Sequence, residues 1–257
     1  MTEGMSVREH EGVLTITLER PGHLNALTAE MSDTLAEEVE RASVHEAVRV
    51  VLLQGAGPAF CSGADLGGER AHENFDVTSL DRANRIVRAI TGSPKPCVAA
   101  VGGVAAGVGC SIALACDLVV ASEQASFLLA FARIGLMPDG GASATVAASV
   151  GRARAMRMAM LGDPLTAREA YDAGLVSHLA GPDDFDDVVA SVVGRLAAGA
   201  PLGQAATKKA VNAATLPVLE DALERERRGQ TVLLRTDDAA EGMRAFAEKR
   251  RPVFRGE

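Results

Sequence analysis

The residues Gly107, Val108 and Gly109 form a glycine-rich corner with the chemistry of an anion or oxyanion site. The corner follows a run of small apolar residues at 98–101 and precedes an apolar helix that the sequence predicts up to Asp117. Because glycine leaves the backbone bare and a helix N-terminus carries unpaired N–H donors, the corner directs backbone N–H groups at a ligand. An anion, a phosphate and a developing oxyanion all fit this description.

Strand and helix patterns alternate around this corner, which predicts an α/β fold. A strand at 96–101 leads into the corner, and the turn Pro138-Asp139-Gly140-Gly141 leads into a long Ala- and Met-rich helix. The polar stretch at 67–80 has no periodicity and is predicted to be a mobile loop beside the site. The other predicted elements are strands at 12–19, 48–55 and 118–121, a loop at 55–63, and helices starting at Thr28 and covering 80–90.

The second half of the chain is mostly helical in pattern. Thr166 and Glu169 have the spacing of a capping box, and long helical segments are predicted at 219–235 and 237–250. The only weak boundaries are near Pro201 and Pro217. We therefore expect one domain over 1–257, with an α/β core over about 1–200 and a helical C-terminal region over about 201–257.

Composition excludes several classes of partner. The 257 residues carry a formal net charge of −8, with no tryptophan and one tyrosine, Tyr171, which argues against nucleic-acid binding and a polybasic membrane patch. The start of the chain lacks a signal-peptide pattern and no apolar run reaches membrane-spanning length, so we expect a cytoplasmic protein. The four cysteines have no metal-ligand spacing and are predicted to be buried free thiols: Cys61, Cys97, Cys110 and Cys116.

Four separated motifs resemble the enoyl-CoA hydratase/isomerase family of the crotonase superfamily, in the order in which that family has them. They are the segments 19–27 (ERPGHLNAL), 59–66 (AFCSGADL), 103–117 and 246–254 (FAEKRRPVF). The resemblance covers nearly the whole chain. It implies a crotonase-like spiral of ββα units followed by helices that form a homotrimer or a dimer of trimers.

The resemblance also implies a substrate and its binding residues. Coenzyme A would be bound as part of a thioester substrate, with no separate cofactor and no metal. The thioester carbonyl would lie between the N–H groups of Ala64 and Val108. The implied substrate-binding residues are Leu24, Ala26, Ser62, Gly63, Asp65, Leu66, Gly107 and Phe131.

Two departures from the family pattern decide the expected reaction. The positions of the two glutamates of the hydratases are occupied by Ser111 and Phe131, neither of which can activate water. Some isomerases of the superfamily use a single carboxylate from a turn that corresponds to Pro138–Gly141. We therefore expect Asp139 to be the proton shuttle that converts a 3-enoyl-CoA to a 2-enoyl-CoA.

Simpler interpretations remain open for these residues. Asp139 is also typical of an N-cap or a turn residue for the helix that follows. Ser111 is typical of a small packing residue at a helix start, and Phe131 of a core side chain. The chain as a whole is also compatible with a hydratase-like reaction or with a non-catalytic acyl-CoA-binding protein. A dinucleotide-dependent oxidoreductase is disfavoured, because the glycines at 102–109 do not have the G-x-G-x-x-G spacing.

Overall fold

The computed structural model describes residues 2–66 and 76–257. Within these ranges the strands are β1 Met5–His10, β2 Val13–Leu18, β3 Val50–Gly55, β4 Ala59–Cys61, β5 Cys97–Val101, β6 Val104–Ala106, β7 Leu118–Ser122, β8 Ser126–Leu128, β9 Leu165–Thr166 and β10 His178–Ala180. The α-helices are α1 Ala29–Val44, α2 Val77–Gly92, α3 Val108–Ala115, α4 Ala142–Leu161, α5 Ala167–Asp172, α6 Phe185–Ala197, α7 Pro201–Thr215, α8 Leu219–Leu233 and α9 Asp237–Ala247. Short 3₁₀ segments cover Pro21–His23 and Ala130–Ile134.

The strands form two sheets that the chain visits in turn. The first sheet has the order β1-β2-β3-β5-β7-β10, and the second has the order β4-β6-β8-β9. Three successive units each give one strand to each sheet and then a helix: β3, β4 and α2; β5, β6 and α3; β7, β8 and α4. This is the spiral of ββα units expected from the sequence, and the α/β fold class is confirmed.

The central strands of the first sheet are buried on both faces. Val51 and Leu53 of β3 face the main core together with α1 and α2, whereas Val50 and Leu52 face a second apolar cluster that is covered by α6. Parallel strands buried on both sides have continuous apolar sequences, because neither face alternates with solvent. The run at 48–55 was recognisable as a strand for this reason.

The structure corrects several predicted boundaries. The first strand, β1, was missed because it lies at the sheet edge, paired only with β2, and carries a polar sequence. Two three-residue strands are not predicted from the sequence: β4 lies within the predicted loop, and β6 lies just before the corner. Strands this short do not show the alternation of apolar and polar residues on which a strand prediction depends. Helix α2 begins at Val77 with Asp76 as its N-cap, so the loop prediction is wrong for 77–80; its remaining part, 67–75, lies outside the described residues.

Other sequence predictions agree with the structure. Thr166 and Glu169 form the expected capping box, and the four cysteines are free thiols, with Cys116 half-buried and the others buried.

In the part of the chain that the structure describes, no single helix is long and apolar enough to cross a membrane. Helices α6 and α7 pass that test only as a pair, with a bend of 106° between them.

A buried lysine joins the helical C-terminal region to the α/β core. Lys208 of α7 is 9% exposed, and its ammonium group lies 2.8 Å from Asp117 Oδ2. The same group donates to the carbonyl oxygens of Ile90 and Lys95, at 2.7 and 3.1 Å. Ile90 lies near the end of α2, Lys95 precedes β5 and Asp117 follows α3. One side chain therefore holds these three elements against α7.

We predict that Lys208→Met destabilises the protein by about 2 kcal/mol, because it leaves a mostly buried carboxylate and two carbonyl oxygens with fewer partners. Urea unfolding at pH 7 measures the change. Lys209→Met is the matched control, since it removes the same charge from an exposed neighbouring position. Equal losses in the two variants would contradict the anchoring role.

Candidate active site

One cavity brings together the three residues that the sequence singled out for chemistry. Its volume is about 330 Å³, and Ala64, Val108 and Asp139 all line it. The remaining described lining residues are Leu27, Thr28, Ala29, Ser32, Asp65, Ser79, Arg82, Ala83, Ile86 and Ile112. The lining therefore combines apolar side chains with a few polar groups, as in most small-molecule sites.

The second sheet explains why these three residues meet. Ala64 follows β4, Val108 follows β6 and Asp139 follows β8, and these three strands are parallel neighbours. The carboxyl ends of parallel strands lie along the same edge of a sheet, where α/β proteins usually bind ligands. The spiral thus brings residues from three sequence-distant units to one cavity.

The corner before α3 presents a backbone donor to this cavity. Gly107 is the N-cap of α3, with φ 53° and ψ −134°, a conformation that a side chain would strain. Val108 is therefore the first residue of the helix, and no acceptor among the described residues takes its N–H group. An unpaired donor at a helix N-terminus favours a negatively charged or polarised oxygen.

Ala64 supplies a second backbone donor close to the first. Leu27 pairs with this segment as in a parallel sheet, donating to Gly63 O at 2.8 Å and accepting from Asp65 N at 2.9 Å. In such a pairing the N–H of the intervening Ala64 faces the opposite side. A methyl group added to Gly63 would lie 3.5 Å from Val108 N, so glycine at 63 keeps the space between the two loops open.

The residues implied in coenzyme A binding lie on the same pair of segments. Ser62 donates through its backbone to Leu24 O at 3.0 Å, and Leu24 is 44% exposed whereas Ala26 is buried. Asp65 is ion-paired with Arg20 at 2.8 Å. Leu66, half-buried, is the last described residue of the loop. The structure therefore groups these residues beside Ala64.

Phe131 is placed differently from its sequence assignment. It is 6% exposed, belongs to the main hydrophobic core and is absent from the described lining of the cavity. Of the two interpretations of this residue, pocket wall or core, the geometry favours the core. Ser111 is fully buried at the first of the two glutamate positions, and its hydroxyl donates to the backbone carbonyl of Asp139 at 2.8 Å.

Asp139 is a buried carboxylic acid with one oxygen unpaired. The residue is 4% exposed; Oδ2 accepts a hydrogen bond from Gln230 Nε2 at 3.1 Å, and Oδ1 has no partner among the described residues. Burial raises the pKa of Asp139 to about 7, with a smaller upward contribution from the charge of Glu226 and an opposing one from the Gln230 hydrogen bond. A carboxyl group with this pKa can both take and return a proton near neutral pH.

The N-cap interpretation of Asp139 is wrong. The N-cap of α4 is Gly141, at φ 76°, and it has no side-chain cap of its own. Instead Glu226, from α8, accepts the N–H groups of Gly141 and Ser143 at 2.6 and 2.8 Å. The carboxylate that caps the helix therefore comes from a distant segment, which leaves the carboxylate of Asp139 available to the cavity.

Sequence reasoning missed Glu226 and Gln230, although a signal was present. Both residues lie on the buried face of α8, where Leu219 and Leu223 continue the apolar stripe. The spacing 219, 223, 226 and 230 is that of core positions of a helix. Two polar residues in such positions indicate buried hydrogen-bond partners, but the sequence does not say which.

Comparisons with known proteins identify relatives of this chain. A family model described as enoyl-CoA hydratase/isomerase matches residues 8–257. The chain is 40% identical to "Probable enoyl-CoA hydratase" of Rhodobacter capsulatus, over 96% of this chain and 95% of that protein. It is 36% identical to 1,2-epoxyphenylacetyl-CoA isomerase of Escherichia coli, over 100% of both chains.

A solved structure supports the fold. The crystal structure of an enoyl-CoA hydratase from Mycobacterium avium subsp. paratuberculosis is 47% identical, with a TM-score of 0.93 over 99% of this chain and 100% of that one. Similarity at this level confirms the crotonase-like spiral that the sequence motifs implied.

The raised pKa of Asp139 predicts a pH dependence of stability. Between the ordinary carboxyl pKa of 3.8 and about 7, the unfolded state is ionised while folded Asp139 stays protonated, so rising pH destabilises the folded protein over this window. At 1.36 kcal/mol per pKa unit the loss reaches about 4 kcal/mol. Asp139→Asn has no such loss, so we expect its stability relative to the parent to rise between pH 4 and pH 7.

Urea unfolding at fixed protein concentration across this pH range measures that difference. Asp172→Asn, which removes an exposed carboxylate, is the control for the loss of one charge. A difference between Asp139→Asn and parent that stays constant from pH 4 to pH 8 would contradict the raised pKa.

Proposed function

Because this chain belongs to the enoyl-CoA hydratase/isomerase family, we propose that it is an enoyl-CoA isomerase with Asp139 as its single acid–base residue. The observation that carries the proposal is the buried carboxyl group of Asp139, whose Oδ1 has no partner among the described residues, in a residue that lines the same cavity as Ala64 and Val108. Asp65 is the other carboxylate among the described lining residues, and its ion pair with Arg20 satisfies its charge. Among the described lining residues, Asp139 is therefore the carboxylate available for acid–base chemistry.

A single carboxylate suffices for moving a double bond from C3 to C2 of an acyl-CoA. The thioester oxygen accepts hydrogen bonds from the N–H groups of Ala64 and Val108, and ionised Asp139 removes a proton from C2. The electron pair of that C–H bond moves into the C1–C2 bond as the thioester oxygen becomes an enolate. Asp139 then returns the same proton to C4, so that C2–C3 becomes the double bond and the carboxylate is regenerated.

Hydration of a 2-enoyl-CoA is the second candidate, and the hydratase names of several relatives favour it. Hydration requires a group that activates water as well as one that protonates carbon. Ser111 is committed to the Asp139 carbonyl and Phe131 to the core, so neither supports a second acid–base role. We therefore rank isomerisation above hydration.

The proposal extends to assembly and location. Large apolar side chains are exposed on α4, α8, α9 and the C-terminal segment, which supports a homotrimer or a dimer of trimers; they include Met160, Leu161, Val232, Phe246 and Val253. We propose a cytoplasmic enzyme whose only non-protein group is the coenzyme A of its substrate.

Asp139→Asn is expected to abolish isomerisation, because the amide cannot accept the C2 proton. A paired assay measures the conversion of a 3-enoyl-CoA to the conjugated 2-enoyl-CoA and the hydration of a short 2-enoyl-CoA. The name of a relative suggests 1,2-epoxyphenylacetyl-CoA as a further substrate to test. Isothermal titration calorimetry with coenzyme A thioesters checks that the variant still binds ligand. Isomerisation by Asp139→Asn at the parental rate would refute the mechanism, and strong hydration by the parent would favour the second candidate.

Val108→Pro is expected to lower kcat by about 100-fold, because proline removes one of the two donors to the enolate oxygen. Proline is well tolerated at the first position of a helix, so α3 should form normally. Val108→Ala is the matched control: it trims the same side chain and keeps the N–H group. Equal activity of the proline and alanine variants would show that the Val108 N–H does not contribute, while circular dichroism verifies folding.

A further inference from the structure

Gln230 is a fully buried amide whose donors and acceptor are all in use. Its Oε1 accepts the Met137 N–H at 3.0 Å, and its Nε2 donates to Met137 O at 2.9 Å and to Asp139 Oδ2 at 3.1 Å. Because Met137 N–H requires an acceptor, the oxygen of the amide must face it and the NH₂ group must face the two oxygens. The amide orientation follows from the hydrogen-bond network.

The two oxygens of Asp139 consequently have different surroundings. Oδ2 is held by Gln230, whereas Oδ1 is buried without a partner among the described residues, and Asp139 lines the cavity. Resting on the proposed function, we propose that Gln230 is the positioning residue that fixes Oδ2, so that Oδ1 alone exchanges protons with the acyl chain.

The turn that carries Asp139 depends on such outside contacts. Gly140 and Gly141 both have positive φ, at 63° and 76°, so the turn itself imposes little rigidity on its neighbours. Gln230 fixes the backbone before Asp139 through both polar groups of Met137, and Ser111 fixes the carbonyl of Asp139 itself. Helices α3 and α8 thus hold the turn from two sides, and the proton-transfer atom keeps one position between the two transfers.

A second residue of α8, Glu226, shifts the pKa of Asp139 in the opposite direction to Gln230. Glu226 lies one turn before Gln230, is 1% exposed, and its negative charge raises the pKa of Asp139, whereas the Gln230 hydrogen bond lowers it. The other charged residues of the described cavity lining are each paired, Arg82 with Asp33 and Asp65 with Arg20. On α3 the facing group is the uncharged Ser111.

The test compares Gln230→Met with Glu226→Gln in the isomerase assay across pH. Gln230→Met keeps the side-chain length but loses the hydrogen bonds, so we expect kcat to fall by about 10-fold or more, with KM within about 2-fold. The acidic limb of kcat/KM is expected to move to higher pH, by about 1 unit, because a donor to the ionised carboxylate is lost. In Glu226→Gln the limb is expected to move to lower pH, because a neighbouring negative charge is lost.

Gln204→Met is the matched control. Gln204 also donates its Nε2 to a backbone carbonyl, that of Leu196 at 2.9 Å, but it lies on α7 and outside the cavity lining. We expect this variant to keep the parental kcat and pH profile. A loss of kcat in both methionine variants, with no shift of the acidic limb, would reduce Gln230 to a general packing role and overturn the inference.

The outcomes separate the inference from the function on which it rests. If Asp139→Asn is inactive while Gln230→Met has the parental kcat, KM and pH profile, the positioning role is refuted and the isomerase mechanism stands. If Asp139→Asn isomerises at the parental rate, both are refuted. A lowered kcat together with opposite shifts of the acidic limb in Gln230→Met and Glu226→Gln supports both.

Discussion

The burial of the Asp139 carboxyl group is the constraint on which the site depends. An ionisable group that is 4% exposed, with one oxygen that no described residue pairs, opposes folding once it is ionised, so its surroundings must supply compensating contacts. Gln230 donates to one carboxyl oxygen and Ser111 donates to the backbone carbonyl, so these contacts compensate without neutralising the group. The like charge of Glu226 acts against ionisation and adds to the effect of burial on the pKa. The resulting carboxyl group has a pKa of about 7, so both of its protonation states are populated near neutral pH, which suits the proposed proton shuttle.

The ββα repeat places backbone donors from distant segments of the chain side by side. Successive units send β4, β6 and β8 into the same parallel sheet, so the loops that follow them emerge at one edge. Two of these loops offer N–H groups and the third offers a carboxylate. Glycine at 63 and 107 is required there because a side chain would fill the gap between the donors or strain the start of α3.

The C-terminal helices do more than extend the α/β body. Helix α8 supplies both Glu226, which caps α4, and Gln230, which holds the turn before it. Helix α7 is tied to the core by the buried ammonium group of Lys208. The expected helical appendage therefore contributes to the surroundings of Asp139, and destabilising its packing should affect that carboxyl group as well as the fold.

The sequence by itself determined the elements whose signal is local. The apolar runs of β3 and β5, the corner at Gly107 and the capping box at Thr166 and Glu169 depend on neighbouring residues, and they were readable without a structure. Only the tertiary structure showed the contacts that Asp139, Glu226 and Gln230 make. An aspartate before two glycines has the local chemistry of a cap, and it was Glu226, 87 positions further along the chain than Asp139, that took the capping role and left Asp139 to the cavity. Contacts between segments that far apart follow from how helices pack, which no local pattern of residues specifies.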